Sequence, residues 1–368
     1  MSLNKLIIDL SAIEHNYKIL QQWAGKDVHL MGVVKSDAYG HGMIPVSQAL
    51  KKVGCSQFAV FSDSEGLLLR KYHVDDSILV LVGIYPENVH ESIKNNLISV
   101  VCRKDMAEWL SHAACQLGMK AHVQIKIDTG MNRLGIYPEH LHDFMTFINQ
   151  LPGLTIDGFI SHFAVADQPD NHYTHQQINI FKDAISSYSF GGIQNHIANS
   201  GGIINRKGLD YPLARAGIAI YGSSPDPEWP KATSLKPAMT FVSEIIYLKT
   251  VPPDQTISYG RTYRTQNHTT VATIPVGYAN GYNRNCSNKS FVLVKGKRSP
   301  VIGRVCMNLI MLDVTDIKDV SVGDPVILLG QQGQNIITAD ELASYLDTIS
   351  YEVMCCLGNS NHRIYINK

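Results

Sequence analysis

The sequence is poor in charged residues, and the two signs cancel. Aspartate, glutamate, lysine and arginine make up 17% of the 368 residues, and 32 basic side chains balance 32 acidic ones. No long basic tract is present, which argues against a nucleic acid or an anionic membrane as a partner. With 45% hydrophobic residues, the chain can build about two or three folded domains. A small-molecule substrate and self-association are the partners that this balance predicts.

Cysteine is scattered and odd in number. None of the seven cysteines lies in a C-x-x-C pair, which argues against a disulfide framework and against a zinc site. The amino-terminal stretch Met1–Leu10 has only a short apolar segment, interrupted by Asp9. No later run has the apolar length that a membrane span needs. These absences predict a soluble protein with reduced thiols, located in the cytoplasm.

A G-x-G-x-x-G turn after an early strand is also absent, which disfavours an open doubly wound sheet. Instead, apolar segments of strand length alternate with longer amphipathic segments. Eight apolar runs occur, at 28–34, 57–62, 77–83, 97–101, 121–127, 156–162, 193–198 and 211–218. Such alternation predicts parallel strands with helical crossovers, and eight units close into a (β/α)8 barrel.

A proline-rich segment, Ser223–Pro237, ends this alternation. After it, β-branched and alternating patterns predict strands at 239–251, 269–276, 291–295, 309–314 and 325–329, with one helical pattern over 338–347. We therefore predict a barrel domain over residues 1–236 and a mostly-β domain over 237–368. The first strand, at 5–10, is a candidate to join the second domain. Ser11 and Glu14 predict a capping box at the start of the first helix.

Polar side chains recur at the carboxyl ends of the predicted barrel strands, the edge at which barrel enzymes carry their chemistry. Lys35 ends the first strand, Lys126 the fifth and His162 the sixth. The segments 199–202 and 215–218 follow the last two strands, and their glycines let backbone N–H groups approach an anion. A lysine at the end of a buried strand loses hydration, which lowers its pKa and prepares its amine to attack a carbonyl.

The segment Val33-Val34-Lys35-Ser36-Asp37-Ala38-Tyr39-Gly40-His41-Gly42 resembles the pyridoxal-phosphate (PLP) lysine motif of the alanine racemase family. Further blocks resemble that family in the same order: 126–135, 161–163, 196–200, 215–222, 258–260, 275–279, 303–307 and 351–353. The family consists of PLP-dependent homodimers with a (β/α)8 barrel and a carboxy-terminal β domain. The resemblance implies an enzyme that interconverts L-alanine and D-alanine and supplies D-alanine for the bacterial cell wall.

The resemblance also implies roles for individual residues. Lys35 would bind PLP covalently and act as one acid–base group, and Tyr259, donated by the partner subunit, as the other. Arg215 would contact the pyridine nitrogen and leave it unprotonated, because the pKa of a guanidinium exceeds about 12. Lys126 matches a lysine that is carbamylated in several family members. The remaining cofactor and substrate positions are Tyr39, Arg133, His162, Ser200, Gly217, Ile218, Tyr351 and Met307, and the substrate entry would be lined by Asp167, Tyr278 and Arg284.

Some positions depart from the family pattern. Asn280 and Asn308 stand where the family commonly has aspartate, and residues 355–362 diverge from the usual version. These changes bear on substrate access and leave the proposed acid–base groups in place. Three alternatives stay open: a racemase of broader range that accepts serine, a decarboxylase of the same fold, and a non-catalytic PLP-binding protein. The Ser-Tyr-Gly and Cys-Met blocks of the second domain disfavour the last two, whereas a methyl pocket discriminates by only about 1–3 kcal/mol per group.

Overall fold

The computed structural model describes residues 3–169, 171–188, 194–226, 228–229 and 232–367. The chain divides into two compact units. The barrel unit comprises Ile13–Ala38 and Met43–Leu235, and the β-rich unit comprises Met1–Ala12, Tyr39–Gly42 and Lys236–Lys368. Pro227 and Pro230, part of the predicted boundary segment, lie outside the described residues. In the ranges given above, no helix is both long enough and apolar enough to cross a membrane.

Seven strands of the barrel unit form one parallel sheet. Strands are numbered along the chain, so that β1 is Lys5–Asp9 in the β-rich unit, and the barrel strands are β2 His29–Val33, β3 Gln57–Val60, β4 Ser77–Val80, β5 Leu97–Val101, β6 Ala121–Lys126, β7 Leu154–Ile160 and β8 Leu213–Ala216. Their order is β7-β6-β5-β4-β3-β2-β8, and every neighbouring pair is parallel. Phe58, Ala59 and Val60 are fully buried, as expected of a parallel strand covered on both faces.

Residues 194–198 close the ring between β7 and β8. The backbone N–H of His196 donates to Phe159 O of β7 at 3.0 Å, and the N–H of Arg215 in β8 donates to Ala198 O at 3.0 Å. The segment therefore occupies the place of the predicted seventh strand, whose first residue, Ile193, lies outside the described residues. The expected (β/α)8 barrel is confirmed. Its helices are Met43–Lys52, Asp63–Lys71, Val89–Lys94, Lys104–Leu117, Pro138–Ile148, His172–Ile185 and Ser200–Ile204.

The first helix, Leu10–Ala24, begins two residues earlier than a cap at Ser11 allows. Asp9 Oδ1 accepts from the backbone N–H of Ser11 at 2.9 Å and of Ala12 at 3.4 Å. The capping residue is therefore Asp9, and the capping box predicted at Ser11 is wrong. An ionised carboxylate suits this place because it faces the positive end of the helix dipole.

The β-rich unit contains three sheets. The strands are β9 Met239–Glu244, β10 Tyr247–Val251, β11 Thr256–Ile257, β12 Tyr263–Arg264, β13 Thr269–Ile274, β14 Phe291–Val294, β15 Lys297–Pro300, β16 Ile310–Asp313, β17 Pro325–Gln332, β18 Asn335–Ile337 and β19 Arg363–Ile366. The largest sheet has the order β15-β14-β17-β9-β1-β19, with β18 paired to β17, and the others are β10-β13-β16 and β11-β12. The helices are Ala339–Leu346 and Ser350–Ser360. Strand β1 lies between β9, antiparallel, and β19, parallel.

Two predictions for this unit fail locally. The single strand predicted over 239–251 is two strands, because β9 and β10 lie in different sheets. At the break, Ile245 N–H donates to Asp324 O and Ile246 N–H to Thr273 O, so successive residues pair with different partners. The helix Ser350–Ser360 was not predicted at all.

Candidate active site

Lys35 follows β2 and begins a left-handed turn. The N–H of Val34 donates to Ala59 O at 2.9 Å, which extends the β2–β3 pairing to the residue before Lys35. The next four residues, Ser36–Tyr39, then have φ values between 52° and 54°. None of them is glycine, and this conformation costs an L residue about 1–2 kcal/mol. Backbone strain is therefore stored directly beside the predicted cofactor lysine. Strained backbone of this kind clusters at functional sites.

Arg215 is a buried cation in β8, with 3% of its surface exposed. Its Nη2 donates to Ser161 O at 2.6 Å and to Ile197 O at 3.1 Å, and lies 3.0 Å from Nδ1 of His162. Its Nη1 contacts Nδ1 of His196. None of the ion pairs found among the described residues includes Arg215. Burial, with a smaller contribution from Arg133, lowers the pKa of Arg215 to about 9, which leaves it charged at neutral pH.

His196 is fixed in one tautomer by this arrangement. A guanidinium only donates, so Nδ1 of His196 must be the unprotonated nitrogen. Its Nε2 therefore carries the proton and donates to Oε1 of Gln124 at 2.7 Å. Both side chains are fully buried, and burial together with the charge of Arg215 lowers the pKa of His196 well below its usual value. The imidazole is neutral and holds the Arg215 guanidinium in place.

Lys126 and His162 lie at the ends of β6 and β7. Burial, followed by the charges of Arg215 and Arg133, lowers the pKa of Lys126 well below 10.5, although Asp128 and Cys102 oppose the shift. Burial and Arg215 likewise lower the pKa of His162, with smaller contributions from Lys126, Arg133 and Lys35. The charges of Arg215 and Arg133 at the carboxyl ends of the barrel strands thus favour the neutral forms of Lys126 and His162.

Three predicted phosphate ligands of the barrel lie together. Ser200 begins the helix Ser200–Ile204, and its Oγ accepts from Gly217 N–H at 2.9 Å. Asn199 caps the same helix by accepting from Gly202 N–H at 3.0 Å. Ile218 is buried and begins a 3-10 turn, Ile218–Tyr221. This is the edge at which barrels commonly bind phosphate, after the seventh and eighth strands.

The other two predicted phosphate ligands, Tyr39 and Tyr351, meet in the β-rich unit, with ring centroids 5.9 Å apart. The contact depends on glycine: a Cβ on Gly358 would lie 2.2 Å from Gly40 O, and a Cβ on Gly40 would lie 2.5 Å from Met354 O. The helix that carries Tyr351 therefore packs backbone to backbone on the end of the left-handed turn. Burial raises the pKa of Tyr39, so its hydroxyl keeps its proton.

Tyr259 lies on a 3-10 turn of the β-rich unit, Tyr259–Arg261, with 70% of its surface exposed. A hydrogen bond fixes the start of this turn, since Ser258 Oγ donates to Arg304 O at 2.7 Å. Met307 and Tyr278 are also exposed, and the N–H of Ala279 donates to Met307 O at 3.0 Å. The described surface thus presents two phenols and one thioether side chain outward.

The remaining predicted residues are exposed or half-buried. Arg133 is exposed, and its charge contributes to the pKa shifts of Lys126, His162 and Arg215. Asp167 is half-buried, and a Cβ on Gly201 would lie 2.9 Å from its backbone nitrogen. Arg284 is exposed on the turn Arg284–Cys286, which Asn283 caps.

His196 and Gln124 were not among the predicted site residues. A signal for both was available, because each is a polar residue inside an apolar strand run, where a buried polar group needs a partner.

Comparisons with known proteins follow the same division of the chain. The family described as "Alanine racemase, N-terminal domain" matches residues 8–225, and "Alanine racemase, C-terminal domain" matches residues 238–365. An alanine racemase of Syntrophobacter fumaroxidans is 43% identical over 362 residues, 98% of this chain and 96% of its own. An alanine racemase structure from Clostridium difficile 630 shares 35% identity, with a TM-score of 0.91 over 100% of this chain and 96% of the other. A Bartonella henselae structure with covalently bound PLP shares 28% identity and covers both chains fully, with a TM-score of 0.90.

Proposed function

The chain belongs to the alanine racemase family, and we propose that Lys35 and Tyr259 exchange the α-proton of alanine in it. It is a PLP-dependent alanine racemase, and the observation that carries this is the match over both domains and nearly the whole length. Racemisation removes the α-proton from one face and returns it on the other, so it needs two acid–base groups on opposite sides of one carbon. An amine and a phenol meet that need when their surroundings tune their pKa values.

The barrel residues fit an anionic cofactor. Arg215 is a buried cation hydrogen-bonded to neutral partners, and Arg133 adds positive charge to the same region. Lys35 would bind the cofactor covalently. The residues that would hold its phosphate are Tyr39, Ser200, Gly217, Ile218 and Tyr351. When bound, PLP supplies an electron-withdrawing ring at the reacting carbon.

Arg215 limits how strongly that ring withdraws electrons. Its guanidinium remains protonated at neutral pH, so it would donate to the pyridine nitrogen and leave that nitrogen without a proton. His196 supports this role, since its unprotonated Nδ1 accepts from Arg215 and keeps the guanidinium aimed. A weaker electron sink favours prompt return of the proton over transamination.

Tyr259 would serve the active site of a partner subunit in a homodimer. The Tyr259 side chain is 70% exposed in the single chain. An acid–base phenol must be shielded from water to act selectively, and a second subunit would supply that shielding. His162 and Arg133 would lie near the ring, and Arg133 and Met307 would bind the substrate carboxylate. Lys126, carbamylated, would place an anion beside Arg133. The substrate entry would be lined by Asp167, Tyr278 and Arg284.

The product would supply the bacterial cell wall with D-alanine, and we place the enzyme in the cytoplasm. All seven cysteines are free thiols in the structure, which supports a reducing compartment. Serine is the competing substrate, because it differs from alanine only by one hydroxyl.

The activity is tested by incubating the purified protein with PLP and L-alanine, and in parallel with L-serine, and by following the D-enantiomers over time. We expect D-alanine to form much faster than D-serine. Equal rates would establish the broader racemase, and absence of both products from PLP-loaded protein would establish a non-catalytic binder.

The cofactor lysine is tested separately. Lys35→Ala should abolish the visible absorbance of the PLP-loaded protein, because the covalent link needs that amine. Lys126→Ala is the matched control, and it should keep the absorbance. An unchanged spectrum for Lys35→Ala would show that another amine binds PLP.

A further inference from the structure

The carboxylate of Glu65 joins the ends of two neighbouring barrel strands. Its Oε1 accepts from the backbone N–H of Ser36 at 2.7 Å, directly after Lys35. Its Oε2 accepts from the N–H of Phe61, directly after β3, also at 2.7 Å. Both bonds are short for N–H donors, as is typical when the acceptor is ionised. One side chain thus binds the first residue beyond Lys35 and the residue after the adjacent strand.

Glu65 has a second, ordinary role in the same place. It is the third residue of the helix Asp63–Lys71, and it forms a capping box with Ser62. The N–H of Glu65 donates to Ser62 Oγ at 3.4 Å, and Oε2 of Glu65 accepts from the N–H of Ser62 at 3.4 Å. A capping box needs only one carboxylate oxygen. The bond from Oε1 to Ser36 lies outside the box and calls for a separate explanation.

Ser36 is where the chain leaves β2 for the left-handed turn. The bonded sheet pattern ends at Val34, whose N–H donates to Ala59 O. From Ser36 to Tyr39 the backbone keeps a conformation that L residues rarely adopt, and such a conformation persists only where surrounding contacts determine it. A fixed N–H at Ser36 fixes the plane of the peptide unit that begins at the Cα of Lys35, and so restricts the direction of the Lys35 Cα–Cβ bond.

We propose that Glu65 is a positioning residue for Lys35: its carboxylate anchors the first N–H of the strained turn, and so aims the lysine amine. This inference rests on the proposed role of Lys35. A misaimed reactive group slows the chemical step more than it weakens substrate binding. The expected signature is therefore a fall in kcat with little change in KM.

The test compares Glu65→Ala with Ser62→Ala in the PLP-loaded enzyme. Ser62→Ala removes the Oγ bond of the same capping box and leaves in place the three backbone N–H groups that donate to the Glu65 carboxylate. Both variants should lower the melting temperature. Only Glu65→Ala should lower kcat, by about ten- to a hundredfold, and change the visible circular dichroism of the bound cofactor, which reports its orientation.

Glu65→Gln keeps the shape of the side chain and covers the case in which Glu65→Ala fails to fold. Its amide offers one acceptor and places a donor against the other N–H, so kcat should fall between wild type and Glu65→Ala. Equal kcat and dichroism for Glu65→Ala and Ser62→Ala would reduce Glu65 to a helix cap and overturn the proposal, as would wild-type values for Glu65→Gln. Full visible absorbance in Lys35→Ala would instead refute the role of Lys35, and the proposal with it.

Discussion

The shared active site can be tested with two variants that are inactive alone. Lys35→Ala removes one acid–base group from the barrel unit, and Tyr259→Phe removes the other from the β-rich unit. Because the Tyr259 side chain is 70% exposed, loss of its hydroxyl should change the free energy of unfolding by less than about 0.5 kcal/mol. Tyr259→Phe should therefore refold as well as the wild type, so a loss of activity reports chemistry.

Activity should return when the two variants are unfolded together in equal amounts and refolded with PLP. In a mixed dimer, one site lacks both groups and the other has both. Random pairing makes about half of the dimers mixed, and each has one intact site of two, so the mixture should reach about a quarter of wild-type activity. The assay is D-alanine formation per milligram, relative to wild type refolded in the same way.

Each variant refolded alone is the control, and it should stay inactive. If the mixture is also inactive while wild type recovers, Lys35 and Tyr259 act within one chain, and the reasoning from the exposure of Tyr259 is refuted. Recovery well above a quarter would mean that mixed dimers form preferentially.

Three further predictions concern charge. Arg215→Glu should let the pyridine nitrogen take a proton, so racemisation slows and pyruvate forms in an amount limited by the enzyme, because the amino group of alanine passes to PLP. An unchanged rate of racemisation, with no pyruvate in a coupled assay, would show that Arg215 does not contact that nitrogen. Lys126 should be carbamylated, because its depressed pKa leaves a neutral amine that can take up carbon dioxide; crystallographic density for a plain amine, with full activity in Lys126→Ala, would contradict this. The hydrogen bond to Asp157 at 2.9 Å raises the pKa of His122 above 6.5. The stabilisation that this pair gives to the folded protein is therefore fully present below pH 6.5 and is lost as pH rises through the raised pKa of His122. For this partly exposed pair, Asp157→Asn should destabilise the protein by about 0.2–1 kcal/mol in acid only, as urea unfolding near about pH 5 and about pH 9 would measure.

The barrel could be predicted from the sequence because its strands are buried on both faces. Runs such as 57–62 and 97–101 are mostly apolar, and the structure has strands at Gln57–Val60 and Leu97–Val101. Residues at the ends of such strands share an edge by topology, so Lys126 and His162 could be assigned to one site without knowing any distance.

Other features could not be predicted, since they depend on tertiary contacts. The left-handed turn at Ser36–Tyr39 contains no glycine, so nothing in its composition indicates its conformation. The helix Ser350–Ser360 includes two cysteines, a glycine and an asparagine, which are weak helix formers, and it packs through Gly358 against Gly40. Asp9 is the cap in place of Ser11 because the helix begins two residues earlier than predicted.

The position of β1 has a consequence for how the chain folds during its synthesis. Strand β1 is made long before its parallel neighbour β19, and the hydrogen bond from Asn367 to Asp9 joins residues 358 apart in sequence. Contacts of such separation form slowly, because the intervening loop must be closed before they contribute stability. Until the ribosome has made residues 363–366, one edge of β1 has no partner strand. The sheet that β1 enters is therefore completed only after more than three hundred further residues have been added.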